Sequence, residues 1–362
     1  MSRARDFADL AGSADAGGIT GKNMVKNGAM LVSQRGTSFT SVADNAYTLD
    51  RYRLTENTSA VVDMSQSSEV PSEGGFSSSL KIDVTTAATP SGGQAFCLNY
   101  RMEGYDFLPS DYGNSNAKYV TLSFWVKSNV TGTYRLTFIA RNGSGNRSIG
   151  ATYTINSADT WEKKEVSIIP DTASTPYQTT DEGFRIEWYL ASGPDRTTGS
   201  LPTSWATLDN ATRATGQGVN LASSTSNEWY ITGVQLEVGE QATPFEHRSY
   251  ADELFSCSRY YTNLEQFNAD NFGSFHNSTE GKVALKFPRV MRAAPTVTTN
   301  SPFTDLVEES GVSVETPASV SVNYSRKSGC VVAMTGLSGT SGNGLFIRQA
   351  PNATTIEADA EL

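Results

Sequence analysis

Hydrophobic and polar residues alternate with a period of two along much of this chain. In Leu80-Lys81-Ile82-Asp83-Val84 the apolar side chains fall on one face of an extended strand and the charged ones on the other. The same alternation sets Leu122, Phe124 and Val126 together within Tyr119 to Lys127. It returns in Tyr134, Leu136 and Phe138, then in Phe184, Ile186, Trp188 and Leu190, and closes in Trp229 to Glu237. Turn-forming stretches separate the runs. One is Asn142-Gly143-Ser144-Gly145-Asn146; another is the long polar span from Ser192 to Asn227, which lacks helical periodicity and reads as loop. Strands divided by turns predict a sandwich or jelly roll rather than a βαβ array.

Two short segments depart from this rhythm. Ser2 to Leu10 places Phe7 and Leu10 on one helical stripe and ends in the glycine-rich Gly12 to Gly21; an attachment arm and an unstructured leader both fit it. Ala251 to Tyr261 predicts a helix or tight connector. After it, β-like runs resume at Lys282 to Phe287, Thr296 to Thr299, Val312 to Val314, Val320 to Tyr324 and Cys330 to Met334. The expected fold is therefore all-β: an N-terminal attachment arm over 1–22, a jelly-roll β-sandwich over 23–250 and a smaller C-terminal β-sandwich-like domain over 251–362. No internal repeat of about 20 to 50 residues is visible, which argues against a solenoid or a long parallel β-helix.

Composition narrows the partners. A chain of 362 residues can bury two cores, and only 18% of it is charged, with Ser, Thr, Asn and Gly dominating the polar remainder. A net charge of -10 argues against a general nucleic-acid or anionic-membrane binder, which needs a basic surface. Cys97, Cys257 and Cys330 are odd in number and lack CxxC spacing, so packing thiols are expected in place of disulfides or zinc. No apolar run is long enough to span a bilayer and no secretory hydrophobic region follows Met1, so synthesis in a cytoplasm is expected.

Several phrases then stand out. Asn27-Gly28-Ala29-Met30 is followed by Gln34-Arg35-Gly36-Thr37-Ser38-Phe39 and Tyr47-Thr48-Leu49-Asp50-Arg51-Tyr52. Much later Ile231-Thr232-Gly233-Val234-Gln235-Leu236-Glu237-Val238-Gly239 runs into Ala242-Thr243-Pro244-Phe245-Glu246-His247-Arg248. Together these resemble a module common in phage and prophage tail-fibre proteins, similar in pattern to carbohydrate-binding jelly rolls. Ser2-Arg3-Ala4-Arg5-Asp6, Ser258-Arg259-Tyr260-Tyr261, Met291-Arg292-Ala293-Ala294-Pro295-Thr296-Val297 and the terminal Ala358-Asp359-Ala360-Glu361-Leu362 extend the resemblance over nearly the whole chain. The resemblance implies a bacteriophage virion structural protein of tail-fibre type. It implies a homotrimer, joined to other virion proteins through the arm and located in the particle. The chain departs from long fibres in having no coiled-coil shaft, so capsid decoration, a head fibre and a ligand-free tail scaffold stay open, as does a glycan-hydrolysing tailspike.

The chemistry favours binding over catalysis. The only histidines, His247 and His276, sit in no nucleophile-elbow context, and P-loop, Rossmann and zinc-hydrolase patterns are absent. Asp181, Glu182 and Glu187 flank a strand and are the place to look for a glycosidase pair, but solvated strand ends explain them far better. No catalytic residue is assigned and no cofactor is expected. For a glycan, aromatic rings offer flat faces to pyranoside C–H groups while polar side chains satisfy hydroxyls. Trp125 alternates against Leu122, Phe124 and Val126, and Arg185, Glu187 and Tyr189 alternate against Phe184, Ile186, Trp188 and Leu190, so these off-core residues are expected to line one shallow groove. Packing under a covering loop or subunit is the alternative for Trp125. Trp205, in the long loop, serves either as ligand contact or as loop anchor. By resemblance to jelly rolls that hold a structural calcium, Gly28 and Glu237 mark a possible metal position. The expected activity is attachment to host-surface polysaccharide without cleavage.

Overall fold

The computed structural model describes residues 22–141, 145–173, 177–264, 272–299, 305–308, 314–348 and 356–362. The arm expected over 1–22 lies outside the described residues except for Lys22, as does Asn142-Gly143-Ser144. The chain is all-β in build and divides into two compact units, Met1–Glu253 with Leu362, and Leu254–Glu361.

The first unit contains β1 (Ser38–Phe39), β2 (Tyr52–Glu56), β3 (Val61–Ser67), β4 (Ser79–Thr86), β5 (Ala95–Glu103) and β6 (Val120–Ser128). It continues with β7 (Gly132–Ala140), β8 (Arg147–Ile155), β9 (Glu162–Ile168), β10 (Glu182–Ser192), β11 (Ala206–Thr207) and β12 (Glu228–Val238). They form two six-stranded sheets, a first in the order β1-β3-β4-β12-β6-β9 and a second in the order β11-β8-β7-β10-β5-β2. Alternation explains why they stack. Leu80, Ile82, Leu122, Phe124, Val126, Trp229 and Ile231 of the first sheet share one buried core with Leu98, Tyr100, Leu136, Phe138, Ile186 and Trp188 of the second. Across that interior the Phe124 and Trp188 rings meet edge to face, 5.9 Å between centroids. Burying each such side chain stabilises the sandwich by about 1.5–3 kcal/mol.

Alternation fails where both faces of a strand are covered. In β5 only Arg101 escapes full burial, because Ala95 and Cys97 pack outward against Tyr189 and Ala214 in a small second cluster. Ala214 belongs to the segment 193–227, which lies over the outer face of the second sheet. Trp205 pins this segment: its ring packs against the main core and its indole N–H donates to the Ile169 carbonyl at 2.7 Å. Leu221 and Ala222 pin it again further on, both wholly buried in the main core.

The chain entering the unit is stapled to the strand leaving it. Asn23 Nδ2 donates to the Val234 carbonyl at 3.1 Å, and Asn23 Oδ1 accepts from the Leu236 amide at 3.1 Å. Met24 N–H donates to the Leu236 carbonyl at 2.8 Å, Asn23 N–H to Glu246 Oε2 at 2.8 Å, and Glu246 N–H to Gln235 Oε1 at 2.8 Å. Arg248 closes the set by donating to the carbonyls of Asn23 and Val25. Gly28 lies so close to β12 that a Cβ on it would sit 2.1 Å from the Val234 carbonyl oxygen. The phrases at Asn27-Gly28, Gly233 to Gly239 and Pro244 to Arg248 are thus one structural fastening.

α1 (Tyr250–Cys257) crosses the boundary in sequence. The second unit has β13 (Tyr261–Leu264), β14 (Phe272–Asn277), β15 (Glu280–Lys286), β16 (Thr296–Thr299) and β17 (Asp305–Glu308). To these it adds β18 (Val314–Glu315), β19 (Ser319–Arg326), β20 (Gly329–Thr335), β21 (Gly344–Arg348) and β22 (Ile356–Asp359). They pair as β13-β22-β16 and as β18-β17-β21-β14-β15-β20-β19 around Phe275, Val283, Phe287, Val332 and Met334. Of the expected run Val312 to Val314, only Val314 is described, and it begins β18.

Candidate functional site

Trp125 lies on the outer face of the first sheet because Phe124 and Val126 take the inner one. Opposite it, β12 is irregular: the register with β6 shifts between Thr232 and Gln235, and Gly233 in the shift has φ +62°. A Cβ on Gly233 would lie 2.5 Å from Phe76 Cζ and 3.0 Å from Trp125 Cδ1, so the bulge needs glycine both for its backbone and for the rings that close over it. Phe76 meets Phe245 edge to face at 5.0 Å and His247 at 5.4 Å, and His247 Nε2 is held at 2.6 Å from the Gly74 carbonyl. Trp125 and Phe245 are half-buried while His247 is exposed.

Along the same face, Tyr230 lies between two ammonium groups, Lys127 Nζ at 4.3 Å and Lys81 Nζ at 5.6 Å from its ring centroid. Trp161 approaches its ring at 6.1 Å. Glu69 pairs with Lys127 and Glu228 with Lys81, the latter at 2.8 Å. Burial first, then the Glu228 and Glu69 carboxylates, raise the Tyr230 hydroxyl above its ordinary pKa and keep it a neutral donor. Tyr230 and Lys127 are themselves buried, so what this face offers for stacking on a sugar is the ring surface of Trp125, Phe245 and His247, with Glu69 at its edge.

Arg185, Glu187 and Tyr189 are elsewhere. Phe184, Ile186 and Trp188 point inward from the second sheet, so their alternates point outward from that sheet, on the side of the sandwich opposite Trp125. The expected single groove does not form: alternation tells which side of its own sheet a residue takes, and Trp125 and Tyr189 belong to different sheets. Nor are these residues presented to solvent. Glu187 and Tyr189 are each 1% exposed beneath the 193–227 segment. Arg185 clasps Glu182 with Nε at 2.7 Å and Nη2 at 2.9 Å and reaches Glu187 Oε1 at 3.2 Å. Arg213 binds both Glu187 oxygens, with Nε at 2.9 Å from Oε2. Burial works to raise the Glu187 pKa, but Arg213 and Arg185 outweigh it and hold the carboxyl below its ordinary range. Trp205, bonded to Ile169 and packed on the core, is an anchor in this structure.

Gly28 and Glu237 do not make a calcium cage. Glu237 Oε1 accepts from Gln235 Nε2 and the Thr243 amide, both at 2.8 Å, and Oε2 accepts from Thr243 Oγ1 at 2.6 Å. The Gly28 carbonyl accepts from the Val234 amide at 2.9 Å. Thr243 Oγ1, a partner of Glu237, also accepts from the Lys22 ammonium, which donates as well to the Pro244 carbonyl at 2.8 Å. Among the described residues no cluster of three or more acidic, histidine or cysteine side chains is placed to hold a metal ion.

Sequence reading put Trp125 on the outer face of its sheet but did not mark Phe76, Phe245, Tyr230 or Trp161, which gather on that face. Its available signals were Gly233, a glycine inside a strand pattern and hence a bulge, and the ring pair Phe245 and His247 three positions after an alanine-threonine turn.

No known family profile matches the chain, and no curated protein matches it in sequence. Among solved structures it is similar to the enzymatically active domain of tailspike protein 4 of bacteriophage CBA120, at 14% identity over 56% of this chain and 22% of the tailspike chain, with a TM-score of 0.31. It is similar to the family 11 carbohydrate-binding module of a Clostridium thermocellum cellulosomal cellulase, at 13% identity over 56% of this chain and 96% of the module, TM-score 0.30. A third likeness is the CBM22-2 xylan-binding domain of Paenibacillus barcinonensis Xyn10C, at 14% identity over 56% of this chain and 98% of that domain, TM-score 0.30. At these values the likenesses carry no function to this chain, and its sandwich rests on the strand pairing given above.

Proposed function

We propose that this chain is a bacteriophage virion protein of tail-fibre type whose first unit holds a host-surface glycan on the outer face of the first sheet without cleaving it. The observation that carries the reading is the ring cluster at the Gly233 bulge, where Trp125, Phe245 and His247 stand at a surface flanked by the Lys127–Glu69 pair. The tail-fibre phrases at Asn27 to Met30 and at Gly233 to Arg248 support a place in a phage particle. Binding without cleavage is part of this proposal, and the reducing-end measurement tests it directly. In this reading the chain is made in the host cytoplasm, assembles as a homotrimer, joins other virion proteins through residues 1–22 and uses no cofactor.

The test offers purified full-length protein to an array of bacterial envelope polysaccharides and then measures reducing ends. At least one polysaccharide is retained with its chain length unchanged. Trp125→Ala weakens retention by about thirtyfold, the loss of about 2 kcal/mol typical of a ring at a binding hot spot. Failure of the wild-type protein to retain any polysaccharide would overturn the reading in favour of ligand-free decoration or scaffold, and new reducing ends would show an enzyme.

A further inference from the structure

On the outer face of the second sheet, Arg135 of β7 is wholly buried, and both its Nη1 and Nη2 lack a hydrogen-bond partner among the described residues. Its neighbours fix the rest of it. Nε donates to Thr137 Oγ1 at 3.1 Å, and its backbone amide donates to Gln217 Oε1 at 2.8 Å. Gly150 leaves the guanidinium its seat, since a Cβ there would lie 1.8 Å from Nη1 and 1.9 Å from Nη2. The nearby carboxylate is already committed, Glu187 to Arg213 and Arg185. Arg135, Arg185 and Arg213 thus stand around Glu187, which Arg185 and Arg213 already hold.

A covering segment that served only to seal a sheet would need no buried cation, because an apolar side chain of similar volume packs there without loss of stability. Buried donors left free in a native structure call for an explanation. The cover itself is held at two ends, by Trp205 and by Leu221, and between them residues 209–218 touch the floor through few polar links. These are Thr137 Oγ1 to the Arg213 carbonyl, the Arg135 amide to Gln217 Oε1, Gly218 N–H to the Thr133 carbonyl and the Arg213–Glu187 pair. Gly216, exposed and at φ +94°, gives that stretch a backbone state other residues avoid.

We propose that residues 209–218 are a flap over a second ligand position, in which the paired Nη groups of Arg135 receive the carboxylate of an acidic sugar. A guanidinium presents two parallel N–H donors that match the two oxygens of a carboxylate, which a neutral sugar cannot use. Arg213 is the latch: its bond to Glu187 keeps the flap down when the position is empty. Burial pushes the Arg135 guanidinium down to about 10, against the opposing pull of Tyr189 and Glu187, so a ligand carboxylate restores what the floor does not supply. This rests on the glycan-binding reading and names the acidic class of its ligand.

The experiment titrates the full chain with sodium glucuronate and, separately, with glucose, following heat of binding and hydrogen exchange in 209–218. Glucuronate binds, glucose does not, and exchange in the flap rises on binding. Arg135→Met keeps the volume, folds, and loses glucuronate binding by tenfold or more, about one bidentate charged contact. Arg213→Ala releases the latch and tightens glucuronate binding by about tenfold, as expected when the open state is no longer the minor one. Equal affinity for glucuronate and glucose, or Arg135→Met and Arg213→Ala proteins that bind as the parent does, would overturn the proposal. If polysaccharide retention persists and depends on Trp125 while glucuronate fails, the flap is wrong and the glycan reading stands; if glucuronate binds and no polysaccharide is retained, the reverse holds.

Discussion

Replacing Gly233 with alanine adds one methyl group at the bulge beneath the ring cluster. Two separate penalties follow. At φ +62° alanine carries about 1–2 kcal/mol of left-handed backbone strain. The new methyl also meets Phe76 Cζ at 2.5 Å and Trp125 Cδ1 at 3.0 Å, and Phe76 is only 8% exposed, hemmed by Phe245 and His247. Crowding of this kind in a packed cluster costs about 1–3 kcal/mol. Together they give a loss of about 2–5 kcal/mol. Gly92→Ala separates the two, because Gly92 has a similar φ of +51° but its Cβ would meet only Asp195 Oδ2, at an ordinary 3.4 Å. Urea unfolding of both variants, followed by tryptophan fluorescence, reads the difference directly. Gly233→Ala should exceed Gly92→Ala by about 1–3 kcal/mol and should weaken polysaccharide retention by shifting Trp125. Equal destabilisation in the two variants would refute the crowding argument, and an unfolded-prone Gly233→Ala that still retained glycan like the parent would detach the rings from the ligand.

Other expectations follow from single contacts. Trp205→Ala loses the bond to Ile169 and a half-buried ring, so it should cost about 2–3 kcal/mol, less than a fully buried tryptophan, and open 193–227 to limited proteolysis; an unchanged cleavage rate would show that the anchor lies elsewhere. Glu162 is pulled up by burial but more strongly down, to about 2, by Lys164, Ser157 and Asn156. Its contribution to stability is therefore complete above the ordinary value of 4.5 and fades as pH falls from there toward about 2, and Glu162→Gln should flatten that acid-side decline in urea midpoints measured from pH 5 to pH 2.

The strands that showed in the sequence are those with one face in the core and one face wet or charged. β4, β6, β10 and β12 could be read from Leu80, Phe124, Trp188 and Trp229 and their polar alternates. β5 could not, because its outward Ala95 and Cys97 are packed under the cover and erase the alternation. β8 does alternate, with Ile149, Ala151, Tyr153 and Ile155 turned to the core, but the small Ala151 beside Gly150, which leaves Arg135 its seat, makes the pattern faint. The side of Trp125 followed from period two alone, whereas Phe76 and Phe245 come from loops, where no period exists to place them. The error over Tyr189 has the same root, since a strand's own pattern holds no information about which sheet it joins. The phrases that carry the resemblance, at Asn27-Gly28 and at Gly233 to Gly239, meet in the structure, where the Val234 amide donates to the Gly28 carbonyl.

That fastening bears on how the first unit carries mechanical load. Lys22 and Asn23 are tied to Thr243, Pro244, Glu246 and Arg248, so the points where the chain enters and leaves the sandwich are side by side. Tension applied between residue 22 and residue 249 meets this short run of hydrogen bonds and ion pairs, backed by the bonds from Asn23 and Met24 to β12, before it reaches the rest of the sandwich. The sandwich hangs from the chain like a bead on a closed loop: a tug can pull at the clasp while the strands that carry Trp125 and Arg135 keep their register.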